Sequence, residues 1–266
     1  MKIAIISDIH SNPNALRKCL KHAEDKGCEK IVCLGDIVGY GYDPNTCIDI
    51  CRKEVEKGRM QCVLGNHDAG VIGKLSLRWF SYFASQGIER QRTIVSNDNK
   101  QWLESLPYAI INEDNVFKVA YAHGTYDRPE RFDYVNYLSD AAFEFPRLKS
   151  EKIAALFVGH THCANAYEVD KNYNIRERFI DLEDEKVLDL SLPECSIVNA
   201  GSVGYPRNQP YTLYVIYDAD KMTATFQILE FDFADYRKQM KDRNIEIPLW
   251  LERSEKEAKE RPVLFR

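Results

Sequence analysis

The chain lacks any long apolar run. Nowhere in its 266 residues do ~18–20 consecutive apolar side chains occur, so no segment is expected to cross a membrane. It also lacks an excess of positive charge. Lys and Arg number 36 against 41 Asp and Glu, a net charge of −5, which excludes nucleic-acid binding driven by bulk positive charge. Of its eight cysteines, none forms a C-x-x-C pair, and Cys47 and Cys51 have no second pair to complete a zinc site. Internal repeats, low-complexity tracts and Gly/Ser linkers are absent as well. With 44% hydrophobic and 29% charged residues, the composition excludes disordered and fibrous classes.

The opening MKIAIISDIHSN carries a lysine and a short apolar run, as a signal peptide does. That run leads directly into Asp8 and His10, which fits a first core strand better. The expectation is therefore a cytoplasmic protein whose cysteines are reduced thiols acting as small buried hydrophobes.

From Lys2 to Leu64 short apolar runs alternate with helical stretches: strands over 2–7, 30–34 and 61–64, helices over 13–26 and 44–57. Asn12 followed by Pro13 reads as an N-cap with proline at the first helical position. A β-α-β-α-β run predicts a parallel sheet with helices packed on it. Residues 69–106 read as a helical insertion, with Leu77, Phe80 and Phe83 on an apolar face. A strand pair over 108–111 and 116–122 follows, turning at 112–115, and then a helix over 136–145. The next part is β-rich, with strands expected at 153–158, 164–169, 174–180, 196–199, 212–217 and 224–229. A charged helical tail near 233–266 is divided by Pro248, its stretch 252–261 reading as a solvated surface helix. A single domain over 1–266 is the expectation.

Five of the six histidines follow or lie beside predicted strand ends: His10, His67, His123, His160 and His162. His22 alone falls inside a helix, where packing explains it. Asp8, Asp36 and Asn66 are interleaved with the five. Read with strand geometry, Asp8-Ile9-His10 sends its two polar side chains to one face, and His160-Thr161-His162 repeats the pattern. Carboxylate oxygen with imidazole nitrogen suits Mn, Fe, Zn or Ni better than Ca or Mg. These candidates exceed the needs of one ion, and seven of them suffice for two if a carboxylate bridges, Asp36 being the natural bridge.

The segments SDIH (7–10), GDIVGYG (35–41), GNHD (65–68), AHG (122–124) and GHTH (159–162) resemble, in order and spacing, the five signature blocks of the calcineurin-like metallophosphoesterase superfamily. NAGSVGYPR (199–207) and WLESLP (102–107) are similar to its small bacterial and archaeal branch. The resemblance implies an α+β fold, a four-layer α/β/β/α sandwich with two facing mixed sheets. It implies that Asp8, His10 and His162 hold a first metal, that Asn66, His123 and His160 hold a second, and that Asp36 bridges. His67 would be the general acid. The activity implied is hydrolysis of small phosphomonoesters or phosphodiesters, nucleotides or dinucleoside polyphosphates among them, by a metal-bridging hydroxide. The cofactors implied are two divalent transition-metal ions, manganese first, with Fe, Zn, Ni, Co or Mg as alternatives.

The second block departs from the GDxVDRG of protein phosphatases, because Gly39 and Tyr40 stand where Asp and Arg would be. This removes the usual orienting partner of His67 and one phosphate clamp, and it argues for a small phosphorylated substrate. Arg207 is a candidate replacement cation. Asn12, Tyr40, Asn66 and His67 are candidate substrate contacts, and tyrosines 42, 126 and 205 are candidates for stacking on a base or sugar. Asn199 reads as orienting a ligand histidine or capping a strand. Asp127, Arg128 and Arg131 read as solvated. A catalytically weak scaffold, a nucleotide sensor and a protein phosphatase are the competing readings, and homo-oligomerisation is left open.

Overall fold

Period-two alternation builds the first strand. In β1 (Lys2–Ile6), Ile3 and Ile5 enter one apolar cluster while Ala4 and Ile6 enter another. The computed structural model describes residues 1–113, 117–178, 180, 187–207 and 209–260. After β1 come α1 (Pro13–Asp25), β2 (Lys30–Cys33), α2 (Pro44–Glu56), β3 (Met60–Cys62) and α3 (Asn66–Val71). Next are α4 (Tyr82–Ile94), α5 (Asn97–Glu104), β4 (Ala109–Glu113), β5 (Lys118–Ala122) and α6 (Leu138–Ser150). The strands β6 (Ile153–Val158), β7 (Ala164–Val169), β8 (Ile175–Arg178), β9 (Val187–Asp189) and β10 (Cys195–Ala200) follow. The chain then runs through β11 (Tyr211–Asp218), β12 (Thr223–Glu230), α7 (Phe233–Asp242) and α8 (Trp250–Glu260).

The strands form two six-stranded mixed sheets, ordered β3-β2-β1-β11-β12-β9 and β4-β5-β6-β10-β7-β8. Parallel pairs join β1 to β2, β2 to β3, β5 to β6 and β6 to β10, while the rest are antiparallel. Ile5 and Val32 of one sheet share a cluster with Tyr121, Phe157 and Val198 of the other, so the sheets face each other. On the outer side of the first sheet, α1 and α2 bury Leu16, Cys19, Ile48 and Cys51. On the outer side of the second, α6 buries Ala141, Phe145 and Leu148. The four layers are helix, sheet, sheet and helix. Seven of the eight cysteines are buried and fill apolar space as expected, whereas Cys163 is exposed; all eight are free of disulfides.

Both early helices start as their sequences predict. The Asn12 and Asp43 side chains accept from the amides of Ala15 and Thr46, ahead of Pro13 and Pro44. His22 packs within α1, its Nδ1 2.8 Å from the Tyr214 hydroxyl.

Several expectations are corrected. Helix α6 does not stop before Pro146 but continues to Ser150. Phe145 and Leu148 are fully buried on either side of the exposed proline, and their packing outweighs the lost backbone hydrogen bond. Asn112 pairs with Val119 in the ladder instead of opening a turn, and residues 114–116 lie outside the described set. Asn66 and His67 begin α3, so helix starts three residues ahead of the insertion expected from 69. Strand β9, only three residues long, was not anticipated from its short pattern. Strand β8 ends at Arg178, and 179 lies outside the described residues. In the tail, Leu251 and Ser254 are buried and Trp250 packs edge-on to Tyr205 and Phe231, so α8 covers this chain's own core. Phe265 lies outside the described residues. Among the described residues no helix is long and apolar enough to cross a membrane.

Candidate metal centre

The loops that follow β1, β2, β3, β5 and β6 deliver the seven candidate ligands and His67. For five of them left-handed backbone turns, and not strand alternation, set the direction. Asp8 (φ 53°), His10 (φ 46°), Asp36 (φ 52°), His160 (φ 67°) and His162 (φ 64°) all adopt positive φ. Period two therefore does not explain why Asp8 and His10, or His160 and His162, converge. β1 ends at Ile6 and β6 at Val158, and the tightly turned segments beyond them aim the side chains inward. Such conformations are sparsely populated outside glycine and persist only where surrounding structure fixes them.

The side chains form two groups that share one carboxylate. Asp8 Oδ1 lies 3.1 Å from His162 Nε2 and 3.5 Å from His10 Nε2. Asp36 Oδ2 lies 3.6 Å from His10 Nε2 and 3.3 Å from His123 Nε2, between the two groups. His123 Nε2 also faces Asn66 Oδ1 at 3.0 Å and His160 Nδ1 at 3.1 Å. All seven residues are buried, and the sets Asp8–His10–His162 and Asp36–His123–His160 each have the spacing of a cation site.

The outer nitrogens decide what these atoms can do. Nδ1 of His10 meets the Val38 carbonyl at 2.9 Å, Nδ1 of His123 meets Leu34 O at 2.8 Å, and Nδ1 of His162 meets Tyr205 O. A carbonyl can only accept, so each Nδ1 donates and Nε2 is left to face inward. Nε2 of His10 and His162 then oppose each other at 3.2 Å, and the buried Asp8 Oδ1 has no hydrogen-bond donor. Lone pair against lone pair in a buried space is unfavourable unless a proton or a metal cation lies between. The donor set of nitrogen with carboxylate oxygen is the one that suits transition-metal ions.

Electrostatics agree. Burial opposes the charge on Asp8, yet His162 and His10 hold its carboxyl well below the usual range. Burial likewise opposes ionisation of Asp36, and His123 and His67 overcome it. Burial lowers His162 to about 4, with Arg207 adding to the effect, and lowers His160 with help from His123. His123 moves the other way, because Asp36 outweighs burial and raises it to about 9. His67 is held well below the usual histidine range by burial, against the pull of Asp36.

Comparison with known proteins bears on the same residues. The family model for the calcineurin-like phosphoesterase superfamily domain matches residues 1–222. The chain belongs to the calcineurin-like phosphoesterase superfamily. It is 35% identical over 257 residues to an uncharacterised protein of Methanocaldococcus jannaschii, covering 94% of this chain and 95% of that one. A metallophosphoesterase from Sphaerobacter thermophilus shares its structure with a TM-score of 0.77 at 32% identity, over 96% of this chain and 98% of that one. A hypothetical protein from Pyrococcus horikoshii OT3 has the same fold, with a TM-score of 0.71 at 16% identity, over 94% and 95% of the two chains.

In this superfamily member a cavity of about 800 Å³ opens beside the two groups, lined by Asn66, His67, His160, Tyr40, Tyr205 and Arg207 among others. The GDIVGYG departure has a geometric reason. Gly39 sits at φ 94°, and a Cβ there would lie 2.3 Å from His67 Nδ1, so no side chain fits beside that ring. His67 Nδ1 is consequently buried without a partner, and its ring is held by edge contacts with His10 and Phe80 and a tilted one with Tyr40. Tyr40 stacks on Tyr205 at 4.2 Å, and its hydroxyl accepts from Arg207 Nη2 at 3.3 Å. Arg207 thus reaches the cavity from the loop after β10.

Asn12 is placed differently from a substrate contact. Its Oδ1 accepts from Ala15 N and the Tyr42 hydroxyl, its Nδ2 donates to Gly204 O, and it does not line the cavity. Tyr42 is buried against the tail, and the Tyr126 hydroxyl donates to Glu151. Asn199 Nδ2 donates to Gly159 O and Thr161 Oγ1, steadying the GHTH loop. Arg131 is exposed, pairs with Asp133 at 3.0 Å and lies at the cavity wall; Asp127 and Arg128 are surface groups.

Sequence reasoning missed four residues. Buried Asp68 accepts from the amides of Val38 and Gly65, tying the second and third loops together. Ser202 donates to Asp8 O and accepts from Tyr205 N. Tyr134 stacks on His160 at 3.8 Å. Gln91, fully buried on α4, accepts from Ser11 Oγ and Gly39 N and donates to Gly41 O. Asp68 and Ser202 lie inside the sequence blocks, where their polarity was a signal. Gln91 and Tyr134 lie outside every motif and carried none.

Proposed function

We propose that this protein is a metal-dependent hydrolase of small phosphoesters, with two divalent ions held by the seven converging side chains. The observation that carries the reading is the set of inward-facing acceptor atoms arranged around the shared carboxylate of Asp36, with no donor to satisfy Asp8 Oδ1. Asp8, His10 and His162 would hold one ion, Asn66, His123 and His160 the other, and Asp36 both. Manganese is the ion we expect to support activity, and a small phosphorylated compound is the expected partner. When bound, such ions neutralise phosphoryl charge and lower the pKa of water toward neutrality.

The chain's own groups supply the rest. Carbonyls of Val38, Leu34 and Tyr205 fix the three histidine tautomers, so no reorientation is needed when substrate arrives. Arg207 lines the same cavity as Asn66 and His160, and we assign it to hold a phosphoryl oxygen. His67 lines the same wall and delivers a proton to the departing oxygen. Burial holds the imidazole below the usual histidine range, so the proton it delivers is drawn from solvent or from a protonated substrate phosphate as that anion arrives beside it.

The test is hydrolysis of bis(p-nitrophenyl) phosphate and p-nitrophenyl phosphate by metal-stripped protein before and after Mn²⁺ is restored. Metal-dependent turnover that disappears in Asp36→Asn is expected. Stoichiometric metal binding without turnover on either ester refutes the hydrolase and leaves a scaffold or sensor.

A further inference from the structure

We infer that the substrate is an ester of a single phosphoryl group with an alcohol that carries a flat aromatic ring system. The inference rests on the phosphoesterase reading and narrows it. The cavity is polar where Asn66, His67, His160 and Arg207 line it, and aromatic rings line much of the rest. Trp79, Phe80 and Phe83 come from the segment between α3 and α4 and from α4 itself, Phe132 and Tyr134 from the loop before α6, and Trp250 from α8. Three separate parts of the chain thus converge to wall one space with aromatic rings.

Trp79 is 71% exposed although it lines this cavity, and Tyr134 is 45% exposed. A ligand ring stacked on these side chains would bury apolar area that is now exposed along the cavity. The volume of about 800 Å³ exceeds what a phosphate needs and falls in the range of sites that enclose whole small molecules.

Charge along the walls limits what that molecule can be. The charged residues lining the cavity are Glu130, Arg131, Asp133 and Arg207. Arg131 is already paired with Asp133 at 3.0 Å, and Glu130 stands next to it in the chain. Among the described residues Arg207 is paired with no carboxylate; its guanidinium instead meets the Tyr40 hydroxyl and lies 5.9 Å from that ring's centre. The cavity therefore offers one uncommitted cation, enough for the reacting phosphoryl group. Beyond the ions and Arg207, a polyphosphate tail would carry further negative charge past Glu130 and the Arg131–Asp133 pair with no free cation to meet it. A small polar alcohol would leave the aromatic walls wet. A ring on the leaving alcohol satisfies both constraints, since it buries apolar area and stacks without adding charge.

The experiment compares kcat/KM of the Mn²⁺-loaded, full-length protein on 2-(2-naphthyl)ethyl phosphate and on ethyl phosphate, whose leaving alcohols have similar acidity. Adenosine 5′-monophosphate, ATP and diadenosine tetraphosphate are measured alongside. Burying a bicyclic ring predicts about a 10- to 100-fold preference for the naphthyl ester. Trp79→Ala removes only an exposed side chain and is expected to reduce that ratio at least ~5-fold. Adenosine 5′-monophosphate outpacing the naphthyl ester identifies the ring as a nucleobase, and the reverse order identifies a simple aryl group. Equal rates on the naphthyl and ethyl esters, a ratio untouched by Trp79→Ala, or preference for ATP or diadenosine tetraphosphate overturns the inference while leaving the phosphoesterase intact. No turnover on any of these compounds overturns the inference, and only if bis(p-nitrophenyl) phosphate is also untouched does the phosphoesterase fall with it.

Discussion

Gln91 provides the sharpest test of how the centre is held. It lies on α4, outside every motif, yet its side chain makes three hydrogen bonds to the loops that carry the ligands. The Gly39 amide, 2.7 Å from Gln91 Oε1, is one residue from the Val38 carbonyl that fixes the His10 tautomer. In Gln91→Leu the Gly39 amide is stranded in the interior, at about 1–3 kcal/mol, and the bonds to Ser11 and Gly41 add about 1 kcal/mol. The metal-free protein should therefore lose about 2–4 kcal/mol of stability. Loosening Val38 also frees His10 to rotate, and loss of such an outer partner typically weakens metal binding about 10–100-fold. Urea unfolding without metal and Mn²⁺ titration calorimetry measure the two effects separately. Gln91→Glu retains the acceptor but opposes oxygen to the Gly41 carbonyl, and it should fall between wild type and Gln91→Leu. A Gln91→Leu protein with the wild-type urea midpoint and wild-type Mn²⁺ affinity refutes this role for the insertion.

Three further outcomes are expected. Replacing His67 by Ala should cost about 10²–10⁴-fold in kcat on alkyl phosphates but far less on p-nitrophenyl esters, whose leaving group needs no proton; equal losses on both would deny His67 the acid role. Gly39→Ala should reproduce part of that selective loss, because its Cβ would lie 2.3 Å from His67 Nδ1, and a wild-type profile would show that the ring has room to move. The stabilisation that the metal-free protein draws from His123 is complete below pH 6.5, and stability should fall by at most about 3 kcal/mol as the pH rises from 6.5 through about 9, while the depressed His67, His160 and His162 make it fall again on the acid side of 6.5. The sign follows from His123, raised by Asp36 against burial, whose proton-linked stabilisation disappears on deprotonation. Metal loading displaces that proton, so a urea midpoint falling equally from pH 6.5 to 9.5 with and without Mn²⁺ contradicts the assignment.

Much of the frame is readable because its rules are local. The alternation Ile3-Ala4-Ile5-Ile6 shows a strand buried on both faces, and Asn12-Pro13 marks the start of a helix to the residue. The ligand set is readable because Asp and His are costly to bury, so several of them gathered at the ends of core strands point to a shared cation. What is not readable depends on distant packing. Pro146 continues a helix because Phe145 and Leu148 are anchored by the second sheet. His67 begins a helix because Asp68 caps it from the third position, an arrangement that period-two reasoning could not show. Arg207 reaches the cavity beneath Trp250 of α8, and its carbonyl accepts from Ser254, 47 residues later. Tyr134 and Gln91 require the folded chain, since nothing in their neighbours distinguishes them.

The left-handed turns at Asp8, His10, Asp36, His160 and His162 bear on which substitutions the centre can accept. Asp, Asn and His are the non-glycine residues most tolerant of that backbone, so coordination chemistry and main-chain geometry select the same residue types here. A glutamate or cysteine supplied as an alternative donor would change both at once. Transplanting this centre to another scaffold accordingly means carrying over the loop conformations along with the ligands, and evolutionary drift among donor types is restricted by the main chain as much as by the ions.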